Sequence, residues 1–279
     1  MADERMPENM VAWMNKKGWG QHHDQWHFER RWDVWHARAA LPNAPAWIAQ
    51  MIQEAKDKGW QRAQTQEGEA GNGEDFLYMH RAMIALLLDE FPEHLHFLRG
   101  WHAVPQDPAD GEDAVPADLP GDPPNPAKGV FNADMAAGLA KLESHPPAFD
   151  GDDGFGLFLQ TRMRPVPGNP LAVSADLQTG AHNYLHNRWS DNASPINIGD
   201  PTVNIFNTRF WKLHGWIDFR WWRFRRASGL DDAAAAYQNK LAFYKTMMGQ
   251  DHHHHHFEAV MKINAKKPAT RNVFQFDGP

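Results

Sequence analysis

The 279-residue chain contains no cysteine. That absence excludes disulfides, thiolate zinc sites, iron–sulfur clusters, cysteine nucleophiles and blue-copper electron-transfer centres, each of which needs sulfur. No run approaches about 18 consecutive apolar residues, so no transmembrane helix is expected. The opening stretch, MADERMPENM, lacks a basic segment followed by an apolar one and does not read as a secretory signal. A soluble, cytoplasmic location is the resulting expectation. A net charge of −7 and a pI near 6.2 leave no broad basic surface for nucleic acid. Phosphate-binding glycine loops and the G-x-S-x-G nucleophile elbow are also missing.

What the chain has is histidine and large aromatics: 17 His, 13 Trp and 16 Phe, which together carry the functional signal. Five of the histidines form one run, His252 to His256, which reads as an exposed loop able to bind nickel or zinc loosely. Two pairs stand at helical spacing: His23/His27 in GQHHDQWHFERRW and His182/His186 in GAHNYLHNRW. Residues four apart lie on one helix face, so each pair can present two imidazoles to one cation. Single histidines further along, His80 in DFLYMHRAM and His214 in RFWKLHGWIDFRWW, supply a third ring to each pair. Three histidines twice over, with no carboxylate required, describe a paired-metal site that favours copper. Many tryptophans flank these histidines and would form a stiff, dry shell that sets solvent access.

The pattern of apolar spacing and breakers predicts a mainly α protein with long irregular loops. Short helices are expected at 8–18 and 132–143. Longer ones are expected at 21–39, 45–58, 76–91, 175–189, 206–226 and 231–248. Asp75 is the expected cap of the 76–91 helix, and Pro92 its terminator. Residues 62–74 read as a polar loop, 144–170 as a Pro/Gly-rich loop with a brief strand at 156–162, and 190–202 as a turn-rich excursion. Residues 104–128 hold seven prolines and six acids and read as an extended or mobile connection within one domain, 1–279. The tail past Lys262 reads as irregular. His22 and His36 lie around the helix from the first pair, and His94, His96 and His102 read as surface or core residues.

Several segments resemble the type 3 copper proteins, the family of tyrosinases, catechol oxidases, hemocyanins and prophenoloxidases. HNYLH, then Asp200-Pro201, then FWKLHGWIDFRW are similar to the family's second copper segment, matching at His182, Asn183, His186, Asp200, Pro201, Phe210, Trp211, Leu213, His214, Asp218 and Trp221. Phe76 to Arg81 and HHDQWH at 22–27 resemble its first segment, most closely the arthropod hemocyanin version. The resemblance covers about 90 of the 279 residues. It departs from the family in a longer gap from His27 to His80, in residues inserted between Pro201 and Phe210, in a length far short of an arthropod hemocyanin, and in lacking the cysteine–histidine thioether that some tyrosinases have.

The resemblance implies a four-helix bundle core holding a dinuclear copper site. One ion would be held by His23, His27 and His80, the other by His182, His186 and His214. It implies dioxygen as co-substrate and hydroxylation or oxidation of a small phenol, catechol or aminophenol, with non-enzymatic dioxygen binding as the alternative. It marks Asn183 as a residue that helps hold a water, with a carboxylate partner upstream; Asp176 is the only acid shortly before His182, and its match is poor. Asp218, one turn past His214, is placed to hydrogen-bond a ligand, cap a helix or pair with an arginine such as Arg30 or Arg31. Asn183 and Asp218 are therefore the candidate catalytic residues.

Overall fold

A computed structural model describes residues 4–250 except 43, 121–123, 132, 144–148, 161–162, 167–168 and 176–179, with backbone alone at 126, 134, 163–166 and 169–175. The His252–His256 run, the expected irregular tail and Asp176 lie outside the described residues. The protein is mainly helical. In chain order the helices are α1 (Glu8–Lys16), α2 (Trp19–Arg30), α3 (Trp32–Ala39), α4 (Ala46–Asp57), α5 (Asn72–Glu90), α6 (Leu95–Leu98), α7 (Ala133–Glu143), α8 (Gly151–Gln160), α9 (Ala181–Arg188), α10 (Thr208–Ala227) and α11 (Ala235–Gly249). No helix among the described residues is long and apolar enough to cross a membrane.

The longest helices form for legible reasons. In α10, Phe210, Leu213, Ile217, Trp221 and Phe224 recur on one buried face. The Asn207 side chain caps its start by accepting from the Arg209 N–H at 2.9 Å, and Arg225 and Arg226 suit the negative end of its dipole. Helix α5 is buried along most of its length and stops at Phe91, before Pro92. Around α5 and α10 lies the main core, which includes Met10, Trp19, Trp26, Phe76, Phe155, Trp211, Trp216 and Trp221. A smaller cluster, Phe28, Trp35, Ile48, Met51, Ile52, Ala55 and Trp60, joins α3 to α4.

Several expectations need correction. The 21–39 helix is two helices, broken at Arg31 (φ −111°, ψ 14°), and α2 begins earlier, after Gly18 in the left-handed region. The break is bridged by Gln66, whose amide donates to the Glu29 carbonyl of α2 and accepts from the Asp33 N–H of α3. Helix α5 begins at Asn72, and Asp75 is not its cap; Asp153 of α8 accepts instead from the Gly71 and Glu74 N–H groups at 2.9 and 3.0 Å. Residues 151–160, read as loop with a strand, form α8. Its glycines mislead because they serve packing: a methyl at Gly156 would sit 2.0 Å from the Gly73 carbonyl oxygen, so α5 and α8 cross backbone to backbone.

Of the two readings of 104–128, extended or mobile, its described residues bear out the extended one, strapped down by side chains. Trp189 donates to the Asp113 carbonyl, Arg209 to those of Glu112 and Ala114, and Arg188 to those of Gln106 and Ala127. After α8 the chain makes an antiparallel hairpin, β1 (Met163–Val166) with β2 (Asn169–Ala175), pairing Met163 with Ala175. β1 and the start of β2 lie in the 144–170 stretch read as loop, and β2 runs past it to Ala175, the expected start of the next helix. Helix α9 starts at Ala181, after Gly180 at φ 79°, rather than at 175.

Candidate metal centre

Four helices bring the six imidazoles together: α2 carries His23 and His27, α5 His80, α9 His182 and His186, and α10 His214. Each is 3% exposed or less. The rings form one continuous cluster. His80 stacks on His214 at 4.0 Å between centroids, His182 lies 4.5 Å from His186 and 5.0 Å from His214, and His23 lies 4.6 Å from His27. The two halves also touch, with His27 stacked on His182 at 6.1 Å.

Among the described residues two buried three-histidine groups emerge in which one nitrogen from each ring lies within 4.8 Å of the others: His23, His27, His80 and His80, His182, His214. His80 belongs to both. His186, expected in the second group, is placed beside it, with Nε2 3.3 Å from Nε2 of His214. The geometry is consistent with a dinuclear metal site.

The surroundings fix which nitrogen four of the rings offer. His23 Nδ1–H donates to the Pro201 carbonyl at 3.0 Å, His80 to that of Phe76 at 2.8 Å and His186 to that of Ile198 at 2.7 Å. His182 Nδ1–H donates to the Asn183 amide oxygen at 3.1 Å. With Nδ1 protonated, Nε2 carries the lone pair, the arrangement usual for metal-binding histidines. His80 Nε2 is buried with no hydrogen-bond partner. His23 Nε2 points to within 3.1 Å of His27 Nε2. Converging lone pairs in a dry interior repel one another and attract a cation, so these residues fit a metal ion.

Burial also keeps the rings neutral. Desolvation, outweighing the hydrogen bond to Pro201, lowers His23 from 6.5 to about 4. The same cause takes His186 to about 3 and holds His27, His80, His182 and His214 well below their ordinary value. Metal binding requires the unprotonated ring, so the site is competent at neutral pH. Phe76 and Phe210 wall the cluster. Phe76 lies 4.5 Å from His80 and 4.7 Å from His182; Phe210 lies 4.2 Å from His214 and 5.3 Å from His23.

Of the two candidate catalytic residues, Asn183 is at the centre and Asp218 is not. Asp218 hydrogen-bonds to none of the six rings. It pairs instead with Arg81, the neighbour of His80, at 2.5 Å, and not with Arg30 or Arg31. Arg81 also donates to the Tyr237 hydroxyl at 2.7 Å and lies 3.7 Å over the Trp221 ring, tying α5 to α10 and α11.

The carboxylate near Asn183 is Glu67, accepting from its Nδ2–H at 3.1 Å, and Glu67 in turn pairs with Arg31. Sequence reasoning missed both, along with the Pro201 and Ile198 carbonyls. The buried Glu sits in a polar glycine-containing stretch with no periodicity to mark it. Of the other histidines, His36 hydrogen-bonds the Trp32 carbonyl and stacks on Trp32, while His94 packs against Phe97. His22, His36, His94, His96 and His102 belong to neither three-histidine group. A crevice of about 10 Å³, room for a single water molecule, reaches His27, lined also by Asp24, Phe28, Arg31, Trp35, Met51 and Pro201.

No protein family, characterised protein or solved structure matches the chain.

Proposed function

We propose that the protein is a type 3 dicopper oxidoreductase that uses dioxygen to hydroxylate or oxidise a small phenol, catechol or aminophenol. His23, His27 and His80 hold one copper; His182, His186 and His214 hold the other. The observation that carries this reading is the burial of two three-histidine groups that share His80, with neither carboxylate nor thiolate in them and His186 beside the second. All-nitrogen imidazole sets suit copper, whereas di-iron centres in helical proteins use carboxylates. When bound, a copper pair supplies the two electrons that dioxygen takes up in one encounter.

The chain's own residues orient and shield. The Pro201, Ile198 and Phe76 carbonyls and the Asn183 amide hold four rings with Nε2 inward. Phe76 and Phe210 keep bulk water from the rings. Asp218 acts at a distance, by holding Arg81 beside His80.

A second reading is dioxygen binding without substrate oxidation. The near-complete burial of all six rings favours it, because a diatomic gas needs a far narrower path than a phenol. The test begins with copper-loaded protein purified without nickel resin. Two coppers per chain and a strong near-ultraviolet band on admitting dioxygen to the reduced protein are the expected results. Steady oxygen uptake with catechol or tyramine then selects the enzyme; a reversible band without uptake selects the carrier. Copper that is not retained at about two per chain removes both readings.

A further inference from the structure

Arg31 and Glu67 form an ion pair that is almost wholly buried, with side chains 2% and 1% exposed. Such a pair is a weak source of stability, since desolvation offsets most of the attraction. Its placement gives it a different use. Arg31 sits at the break between α2 and α3, and Glu67 sits in the loop before α5. Both converge on Asn183 of α9.

Every position of the Asn183 amide is committed. Its Oδ1 accepts from Arg31 Nη2–H at 3.0 Å and from His182 Nδ1–H at 3.1 Å. Its Nδ2 donates to Glu67 Oε1 at 3.1 Å and to the Gln160 carbonyl at 2.8 Å. Flipping the amide would set its NH₂ against the guanidinium and its oxygen against a carboxylate and a carbonyl. The two charges therefore dictate which end of the amide faces His182. An oxygen there makes the His182 Nδ1 a donor and leaves Nε2 as the ligand atom.

We infer that the buried Arg31–Glu67 pair is a positioning device for one half of the metal centre, acting through Asn183 to set the tautomer and orientation of His182. This rests on the reading of the six histidines as a dinuclear metal site. The pair also spans the two halves: Arg31 closes the helix that bears His23 and His27, and Asn183 belongs to the helix that bears His182 and His186. The Glu67 N–H donates to the Arg30 carbonyl at 2.7 Å, anchoring the loop to the same break. Paired with Arg31 and accepting from Asn183, Glu67 serves as a fixed acceptor.

The test compares wild-type protein with two double variants, Arg31→Met/Glu67→Leu and Arg31→Met/Glu67→Gln. Both remove the two charges together, so neither leaves an unpaired buried ion. Copper(II) binding is followed by equilibrium dialysis and by ligand-field absorption, and unfolding of the metal-free protein is measured in parallel. The Met/Leu variant is expected to melt at or above the wild-type temperature, bind the first copper normally and bind the second about 10- to 100-fold more weakly, with a shifted absorption. The Met/Gln variant keeps an acceptor for Asn183 and is expected to recover part of that loss.

Wild-type affinity and spectrum for both ions in the Met/Leu variant overturn the positioning role. So does equal weakening of both ions together with a lower melting temperature, which marks a purely structural pair. Wild-type protein that takes up no copper overturns the underlying metal reading, and this inference with it.

Discussion

The crossing of α5 and α8 gives a sharp test because two glycines on one helix should respond to the same change in opposite ways. Adding a methyl to Gly156 places it 2.0 Å from the Gly73 oxygen and 2.4 Å from the Gly73 carbonyl carbon, whereas real Cβ contacts essentially never fall below 3.0 Å. The obstacle is backbone, so no rotamer change relieves it. The helices must part by about 1 Å, an overpacking strain that costs about 1–3 kcal/mol or somewhat more. Against this, alanine gains about 1 kcal/mol over glycine inside a helix. Strain wins, and Gly156→Ala is expected to destabilise by about 1–2 kcal/mol, lowering the melting temperature by roughly 2–8 °C.

Gly154 lies in the same helix, but a methyl there meets nothing nearer than 3.5 Å, an ordinary contact. Gly154→Ala should therefore gain up to about 1 kcal/mol. Urea and thermal unfolding of the two variants measure the difference. Displacing α5 also moves His80, and displacing α8 moves the Gln160 carbonyl that holds Asn183, so Gly156→Ala should lose copper as well. If Gly156→Ala is as stable as Gly154→Ala, the close crossing and the reasoning built on it are wrong.

Other expectations follow from the same structure. His186→Ala should lower bound copper from two per chain to one, read by metal analysis; unchanged retention would remove His186 from the ligand set. Stability of the metal-free protein should fall on acidification. The buried rings stay neutral while the unfolded chain takes up protons below 6.5, so the contribution is complete above that pH. It is lost progressively down to about 4 for His23 and about 3 for His186. For His23 alone this amounts to about 3 kcal/mol; a flat unfolding profile between pH 7 and 4 would contradict it. Arg81→Met should cost about 2–3 kcal/mol by stranding Asp218 and the Tyr237 hydroxyl and removing the cation over Trp221. Asp218→Asn should cost less, because Asp218 is partly exposed, and denaturant titration of both tests that order.

Much of the candidate site was legible in the order of residues. H-x-x-x-H spacing places two rings on one helix face whatever the fold, and the buried face of α10 is spelled out by its aromatic repeat. The helices from Ala46, Thr208 and Ala235 lie close to where apolar spacing and turn residues place them. Glycine was the main source of error. In 151–160 it signalled a loop, yet Gly156 is there so that two helix backbones can touch. No local pattern distinguishes a glycine that breaks a helix from one that lets a helix approach its neighbour.

The sequence by itself determined the donor chemistry: imidazoles in helical pairs, no thiolate, and a surplus of rings to wall them in. Those are properties of residue type and short-range spacing, which the helix period converts directly into geometry. Only the tertiary structure decided that His80 stands between the two groups, that Asp218 binds Arg81 rather than a histidine, and that Glu67 and Arg31 meet Asn183. Each of those contacts joins residues tens to more than a hundred positions apart, brought together by the packing of several helices at once, and no local rule of spacing can specify them.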